Sequence, residues 1–113
     1  MPGQRPRPYS PYAVDAARLL GARIRLARRE RHWSQDDLAA RAGITSRTLS
    51  KIEHGDPSVG LGAAFEAAAL VGVPLFDAER SRLSADLDRT QARSALLPRA
   101  PRTRRDGEVK DEF

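Results

Sequence analysis

The stretch 34–55, SQDDLAARAGITSRTLSKIEHG, decides the fold that this sequence predicts. Ser34 followed three residues later by Asp37 has the pattern of a capping box, so a helix should begin here. Gly43 stands where that helix must end, because a tight turn with positive φ is cheap only for glycine. Thr45 offers an N-cap to a second helix. The stretch therefore predicts two short helices joined by one tight turn.

The second helix, residues 46 to about 54, should have one buried side and one polar side. Leu49 and Ile52 are three residues apart and would share the buried side. The remaining positions of its first two turns carry hydrogen-bonding or cationic groups, namely Ser46, Arg47, Ser50 and Lys51. A helix divided in this way can enter the major groove of DNA with its N-terminus first.

The pattern resembles the Cro/CI-type helix-turn-helix of the xenobiotic-response-element (XRE) class of bacterial and phage repressors. The resemblance covers residues 20 to 73, about half of the chain, and is carried by Ile24-Arg25, Arg28, Trp33-Ser34-Gln35, Leu38-Ala39, Gly43-Ile44-Thr45, Leu49-Ser50-Lys51-Ile52-Glu53, Gly55 and Val71-Gly72-Val73. It implies an all-α, λ-repressor-like compact bundle of about five helices. An ordinary helical pair with a glycine turn is the alternative.

The charge of the chain is concentrated in the same region. The 113 residues carry a formal net charge of +5, and the window 18–55 holds nine Arg or Lys against four Asp or Glu. The rest of the chain is balanced. A local cationic excess is typical of a protein that binds a polyanion, although arginine-rich composition also occurs without such a role.

Several classes of protein are excluded by what the sequence lacks. It has no cysteine, hence no disulfide or thiolate metal site, and no cofactor is expected. His32 and His54 do not have the spacing of metal ligands. No apolar run is long enough to cross a membrane, so a cytoplasmic location is expected. Without a phosphate-binding glycine loop or rigidly paired carboxylates, the protein is not expected to be an enzyme.

The chain divides into four predicted segments. Residues 1–12 form a flexible arm rich in proline and arginine, which either is disordered or places Arg5 and Arg7 in a minor groove. Residues 15–76 form the helix-turn-helix domain. Residues 77–97 form a further helix, which either packs on the domain or mediates dimerisation. Residues 98–113 form a disordered charged tail, either solvated or able to order on a partner.

Within the domain, the first helix should run from 15 to about 31 and the fourth from 61 to 71. The fourth helix has Gly60 as its cap, and two glycines near its start leave it dependent on burial. The residues expected in the core of these helices and of the segment that closes the domain are Leu20, Ile24, Ala27, Leu61, Phe65, Ala68, Val71, Val73, Leu75 and Phe76.

The resemblance also assigns roles to four residues of the domain. It pairs Arg28 with Glu53 in a partly buried structural ion pair that joins the helix of residues 15 to about 31 to the recognition helix, residues 46 to about 54. It makes Trp33 an apolar residue of the core rather than a platform for nucleic-acid bases. It places His32 where the family often has glycine, so the turn here should differ slightly.

Seven residues are candidates for contact with double-stranded DNA. Gln35, at the start of the helix that Ser34 caps, can donate to a phosphate, which positions the protein without reading sequence. Ser46, Arg47 and Lys51 are expected at base edges, and Arg47 is the best single candidate because a guanidinium can bond O6 and N7 of guanine. Three further residues are expected at the margin or on the DNA backbone: Thr45, Ser50 and His54.

These features favour a sequence-specific transcriptional regulator, most simply a repressor that binds an inverted-repeat operator as a homodimer. The run 58–76 looks like that of HipB-type antitoxins, which implies a HipA-like kinase toxin as a possible partner and a role in repressing its own operon. The alternative is an interaction adaptor that has kept the helix-turn-helix fold without binding DNA.

Overall fold

The protein folds as five helices in its computed structural model, which describes residues 8–99. In chain order these are α1 Pro11–Glu30, α2 Gln35–Ala42, α3 Ser46–Glu53, α4 Leu61–Leu70 and α5 Arg80–Leu96. Apart from one β-bridge between Leu75 and Ala78, the described residues contain no strand, so the all-α prediction is confirmed. The described residues divide into two compact units, one that ends at Glu79 and one that begins at Arg80.

The first helix begins four residues earlier than predicted. The hydroxyl of Ser10 accepts a hydrogen bond from the N–H of Ala13 at 3.2 Å, and Pro11 occupies the first helical turn. Proline is favoured there because its missing N–H has no partner in a helix anyway. The expectation that the arm extends to residue 12 was therefore wrong; residues 1–7 of it lie outside the described residues.

Helices α1 to α4 enclose one small core. Its largest fully buried side chains are Ile24, Leu38, Leu49 and Val71. The first three belong to α1, α2 and α3, and Val71 is the C-cap residue of α4. Trp33 and Leu20 are half-buried and pack against this core. The predicted apolar stripes of α1, α2 and α3 thus meet in a single cluster.

Two residues expected in that core are exposed instead. Leu61 and Phe76 are 69% and 78% exposed. The buried stripe of α4 consists of small residues, Ala64, Ala67 and Ala68, which lets the helix approach its neighbours closely and leaves the larger Leu61 outside. Phe76 packs on the ring of Phe65 edge to face, with the ring centroids 6.3 Å apart.

The fifth helix starts later than residue 77 because a tight turn precedes it. Phe76 and Asp77 have φ of 56° and 54°, and the N–H of Ala78 donates to the carbonyl of Leu75 at 3.1 Å. Positive φ at both central residues is the geometry of a type I′ turn. None of the residues of α5 is buried. The tail was predicted to begin at residue 98, and its residues 100–113 lie outside the described residues.

A buried polar network fixes α3 against the rest of the domain. The Nε of Arg28 donates to Oε2 of Glu53 at 2.7 Å, and its Nη2 donates to Oε1 at 3.0 Å. Its Nη1 donates to the carbonyl of Trp33 at 2.8 Å, while the amide of Gln35 donates to the same carboxylate at 3.0 Å. The hydrogen bond with Glu53 raises the pKa of Arg28, which therefore stays charged.

The two helices that this pair joins are in backbone contact. A Cβ atom on Gly21 of α1 would lie 2.1 Å from the carbonyl oxygen of Ile52 in α3. Only glycine permits so close an approach. Since the ion pair lies on the same helices, α3 has very little freedom to shift relative to α1.

The turn between α1 and α2 is strained at His32. Its φ is 61°, in the left-handed region that favours glycine. Next to it, two guanidinium groups lie over the ring of Trp33. The Cζ atom of Arg41 is 4.3 Å from the ring centroid, and the Cζ atom of Arg31 is 5.8 Å from it. The turn therefore differs as expected: histidine adopts a left-handed conformation at a position where the family often has glycine.

Replacing His32 by glycine should stabilise the domain. A non-glycine residue in the left-handed region costs about 1–2 kcal/mol, and the entropy lost by glycine on folding offsets about half of that. We expect His32→Gly to raise the free energy of unfolding in urea by roughly 0.5–1 kcal/mol. Gly43→Ala is the matched control and should be destabilising, because Gly43 has φ of 71°. A lower free energy of unfolding in His32→Gly would show that the conformation of His32 is not strained.

The ion pair makes a second prediction through a double-mutant cycle. Arg28→Met should cost about 3–5 kcal/mol because it leaves the carboxylate of Glu53 buried without its partner. Adding Glu53→Leu should recover much of that loss, since the apolar pair leaves no buried charge. The measurement is urea unfolding of the parent, the two single variants and the double variant. If the losses of unfolding free energy in the two single variants add up to the loss in the double variant, Arg28 and Glu53 are not coupled.

Candidate nucleic-acid interface

The two central helices have the ends that the sequence predicted. The hydroxyl of Ser34 accepts from the N–H of Asp37 at 3.0 Å, and the carboxylate of Asp37 accepts from the N–H of Ser34 at 2.9 Å. Gly43 ends α2 in the left-handed conformation, and the hydroxyl of Thr45 caps α3 by accepting from the N–H of Thr48 at 3.1 Å. The predicted helix, turn and helix are therefore confirmed.

The capping box also sets a pH dependence for α2. The hydrogen bonds from the N–H and the hydroxyl of Ser34 lower the pKa of Asp37. A lowered pKa in the folded state means that the carboxylate contributes stability above its pKa in the unfolded chain. That contribution is lost as the pH falls through the lower pKa of the folded state.

The buried and outward sides of α3 are cleanly separated. Leu49, Ile52 and Glu53 are buried, whereas Arg47 and Lys51 are exposed. Four residues along a helix correspond to a rise of about 6 Å, so these two cations lie one above the other on one side of α3. Within residues 8–99, no hydrogen bond or ion pair of Arg47 competes for its guanidinium.

Four of the seven candidate residues already use their side chains within the domain, three of them at or before the start of α3. The amide of Gln35 is bound to Glu53 at 3.0 Å, and the hydroxyl of Ser46 donates to the carboxylate of Asp36. The hydroxyl of Thr45 serves as the helix cap and donates to the hydroxyl of Thr48. To meet DNA, the side chains of Gln35 and Ser46 would have to exchange these partners.

Two further candidates, Ser50 and His54, lie in the second half of α3 and at its C-cap. Ser50 is half-buried, and its carbonyl lies 2.7 Å from Nδ1 of His54, so this ring nitrogen donates. His54 itself is exposed at the end of the helix. Its remaining ring nitrogen faces no partner that restrains it within the described part of the chain. The structure thus brings Arg47, Lys51 and His54 to the surface of one short helix.

Sequence reasoning missed the link between the two helices through Asp36 and Ser46. Asp36 lies in the first turn of α2, where an acidic residue is explained by the helix dipole alone. Its contact with Ser46 spans ten residues and depends on the angle between α2 and α3. A serine at the start of α3 with an aspartate near the start of α2 is too common a combination to have indicated it.

Two other kinds of functional feature are absent from residues 8–99. Residues 8–99 contain no group of three or more acidic or histidine side chains that could hold a metal ion. Among these residues, no helix combines the length and the apolar character needed to cross a membrane. The exposed Arg47 and Lys51 make the surface of α3 the candidate functional site.

Comparison with known proteins supports the same assignment. Residues 24–77 match the model of a family described as helix-turn-helix, a span that contains α2, α3 and α4 completely. No curated protein and no solved structure matches the chain significantly. The segment 24–77 is thus a helix-turn-helix domain of the Cro/CI type that the sequence predicted, a type of domain that binds DNA in transcriptional regulators.

Proposed function

We propose that this protein is a sequence-specific repressor that binds an inverted-repeat operator as a homodimer and acts by occupying it. The observation that carries the proposal is the pair of exposed cations on α3, Arg47 and Lys51, on a helix fixed by the buried Arg28–Glu53 pair. The cationic excess of residues 18–55 supports it, because phosphate contacts supply much of the affinity for DNA.

In the proposed complex, α3 lies in the major groove and its residues have different roles. Arg47 reads a guanine through O6 and N7, and Lys51 and Ser46 contact neighbouring base edges. Gln35 contacts a phosphate at the start of α2, with Thr45, Ser50 and His54 at the margin or on the sugar-phosphate backbone. Gln35 also holds Glu53, so its replacement would affect the position of α3 as well as the phosphate contact.

The proposed dimer uses α5. Leu83, Leu87, Thr90 and Ser94 recur at alternating spacings of four and three, and Leu97 extends this stripe by one position. None of α5 is buried, so the stripe is available for a second copy. Two recognition helices related by a two-fold axis would then enter successive major grooves about 34 Å apart.

A finer role as the antitoxin of a HipBA-like operon rests on the resemblance of the run 58–76, which consists of core and helix residues of this domain. A cytoplasmic location in a bacterium belongs to the same proposal. Binding of a HipA-like kinase would favour the antitoxin role. An adaptor without DNA binding would be favoured if no duplex from a random pool were enriched.

Selection from a random duplex pool should yield an inverted repeat, and affinity for it should fall steeply with salt. Each neutralised phosphate contributes about −0.9 to the slope of log K against log salt. The measurement is fluorescence anisotropy of the selected duplex at several salt concentrations. An affinity that does not depend on salt would contradict DNA binding through these cations.

Arg47→Ala should relax the preference at one base pair of each half-site. The loss of a bidentate contact to guanine costs about 1–3 kcal/mol of discrimination. Arg82→Ala, which changes an exposed arginine of α5, is the control and should leave the base preference unchanged. If Arg47→Ala weakens all sequences equally, Arg47 contacts phosphate and does not read the base.

Dimerisation through α5 should depend on half-buried Leu83 and exposed Leu87. Leu83→Asn with Leu87→Asn places polar groups at two layers of the proposed helix pair, so we expect the dissociation constant of the dimer to rise at least about tenfold. Leu96→Asn changes an exposed leucine outside the stripe and is the control. Sedimentation velocity at several concentrations provides the measurement, and an unchanged dimer would contradict the role of α5.

A further inference from the structure

A carboxylate lies where the starts of the two central helices meet. Asp36 is the second residue of α2, and Ser46 is the first residue of α3. The hydroxyl of Ser46 donates a hydrogen bond to Oδ1 of Asp36. Asp36 is exposed and Ser46 is half-buried, so this hydrogen bond lies at the surface of the domain. It therefore lies beside Arg47, on the helix proposed to enter the major groove.

The cap of α2 does not involve Asp36. The capping hydrogen bonds join Ser34 and Asp37, and Asp37 already supplies a negative charge to the first turn. On a surface that meets phosphates, a second carboxylate lowers the affinity for DNA through like-charge repulsion. The hydrogen bond with Ser46 is therefore the contact that distinguishes Asp36 from Asp37.

This contact fixes the hydrogen-bonding polarity of Ser46. A serine hydroxyl has one proton to donate and two lone pairs that accept, whereas a carboxylate only accepts. While the proton of Ser46 is directed at Asp36, its oxygen can accept a hydrogen bond from DNA but cannot donate one. Ser46 has to exchange Asp36 for DNA only where its hydroxyl is to donate.

The base edges of the major groove distinguish these two cases. Cytosine N4 and adenine N6 are amino groups that donate, whereas guanine O6 and N7 and thymine O4 accept. An unrestrained serine hydroxyl can serve either kind of group. A hydroxyl that only accepts matches an amino group, and opposite another acceptor it leaves both atoms without a partner in the interface. Its polarity thus decides which edge it selects.

We propose that Asp36 is a positioning residue for base readout, which holds the proton of Ser46 and so makes this serine select an exocyclic amino group of cytosine or adenine. The inference rests on the proposed function, because it needs α3 in the major groove. Asp36 does not contact the base in this arrangement and acts through Ser46. Its carboxylate lowers the affinity for all DNA and raises the discrimination between sequences.

Operator duplexes that lack single groups test the proposal with the full-length chain. In selection from a random pool, the base pair that Ser46 contacts is the one whose preference changes in Ser46→Ala. Its adenine or cytosine is then replaced by the analogue without the amino group, purine or pyrimidinone. This replacement should weaken binding of the parent at least about threefold more than binding of Ser46→Ala. In Asp36→Ala that excess should fall below about twofold, because the hydroxyl is then free to donate.

A second variant keeps the size of the side chain. Asp36→Asn supplies an amide that can donate to Ser46, so it should also reduce the excess loss caused by the missing amino group. This variant serves the same test should Asp36→Ala unfold at a lower urea concentration than the parent. The double variant of Asp36→Ala with Ser46→Ala should respond to the analogue as Ser46→Ala does, because both changes remove one interaction.

The overall affinity gives an independent readout. Asp36→Ala removes a negative charge from the proposed DNA surface, so it should bind every duplex about two to five times more tightly at low salt. Glu66→Ala removes the same charge from an exposed position of α4 and is the control. It should leave the base preference unchanged and alter the affinity less than Asp36→Ala does.

Several results would overturn the proposal while the repressor function stands. If Asp36→Ala keeps the full response to the missing amino group, Asp36 does not set the polarity of Ser46. If Ser46→Ala keeps it too, or changes no base preference, Ser46 does not read that group. A parent that responds instead to a deazapurine without N7 would show that Ser46 donates. A lower affinity of Asp36→Ala would mean that the carboxylate contacts DNA itself. If the parent enriches no duplex at all, the repressor function fails and this inference fails with it.

Discussion

The structure of this domain depends on one buried interaction, the two hydrogen bonds between the guanidinium of Arg28 and the carboxylate of Glu53. Each group has one further partner: the guanidinium donates to the carbonyl of Trp33, and the carboxylate accepts from the amide of Gln35. A buried charge pair is tolerated only when its hydrogen bonds are satisfied in this way. One contact therefore ties α1, the turn after it, α2 and α3 together.

This network matters because α3 cannot be stable alone. It has eight residues, and isolated helices shorter than about 12 residues are marginal in water. Its shape comes from the cap of Thr45, from the burial of Leu49 and Ile52, and from Glu53 at its end. What remains outside is an exposed side with cations at fixed positions, which is the requirement for reading base edges.

The sequence predicted the parts of the fold that depend on local chemistry. The capping box and Gly43 act over three or four residues, so their pattern was sufficient. The start of α1 was missed because Pro11 is a breaker inside a helix and favourable at its first position. The exposure of Leu61 and the contact of Ser46 with Asp36 depend on how helices pack, which periodicity does not determine.

The most direct measurement of the central idea is a map of backbone amide shifts of the labelled chain bound to its selected operator duplex. If α3 is the reading surface, the largest shifts occur at Ser46, Arg47 and Lys51, with smaller ones at the start of α2. Shifts concentrated on α4 or α5, with α3 unchanged, would contradict the idea that the helix fixed by Glu53 is the one that meets DNA.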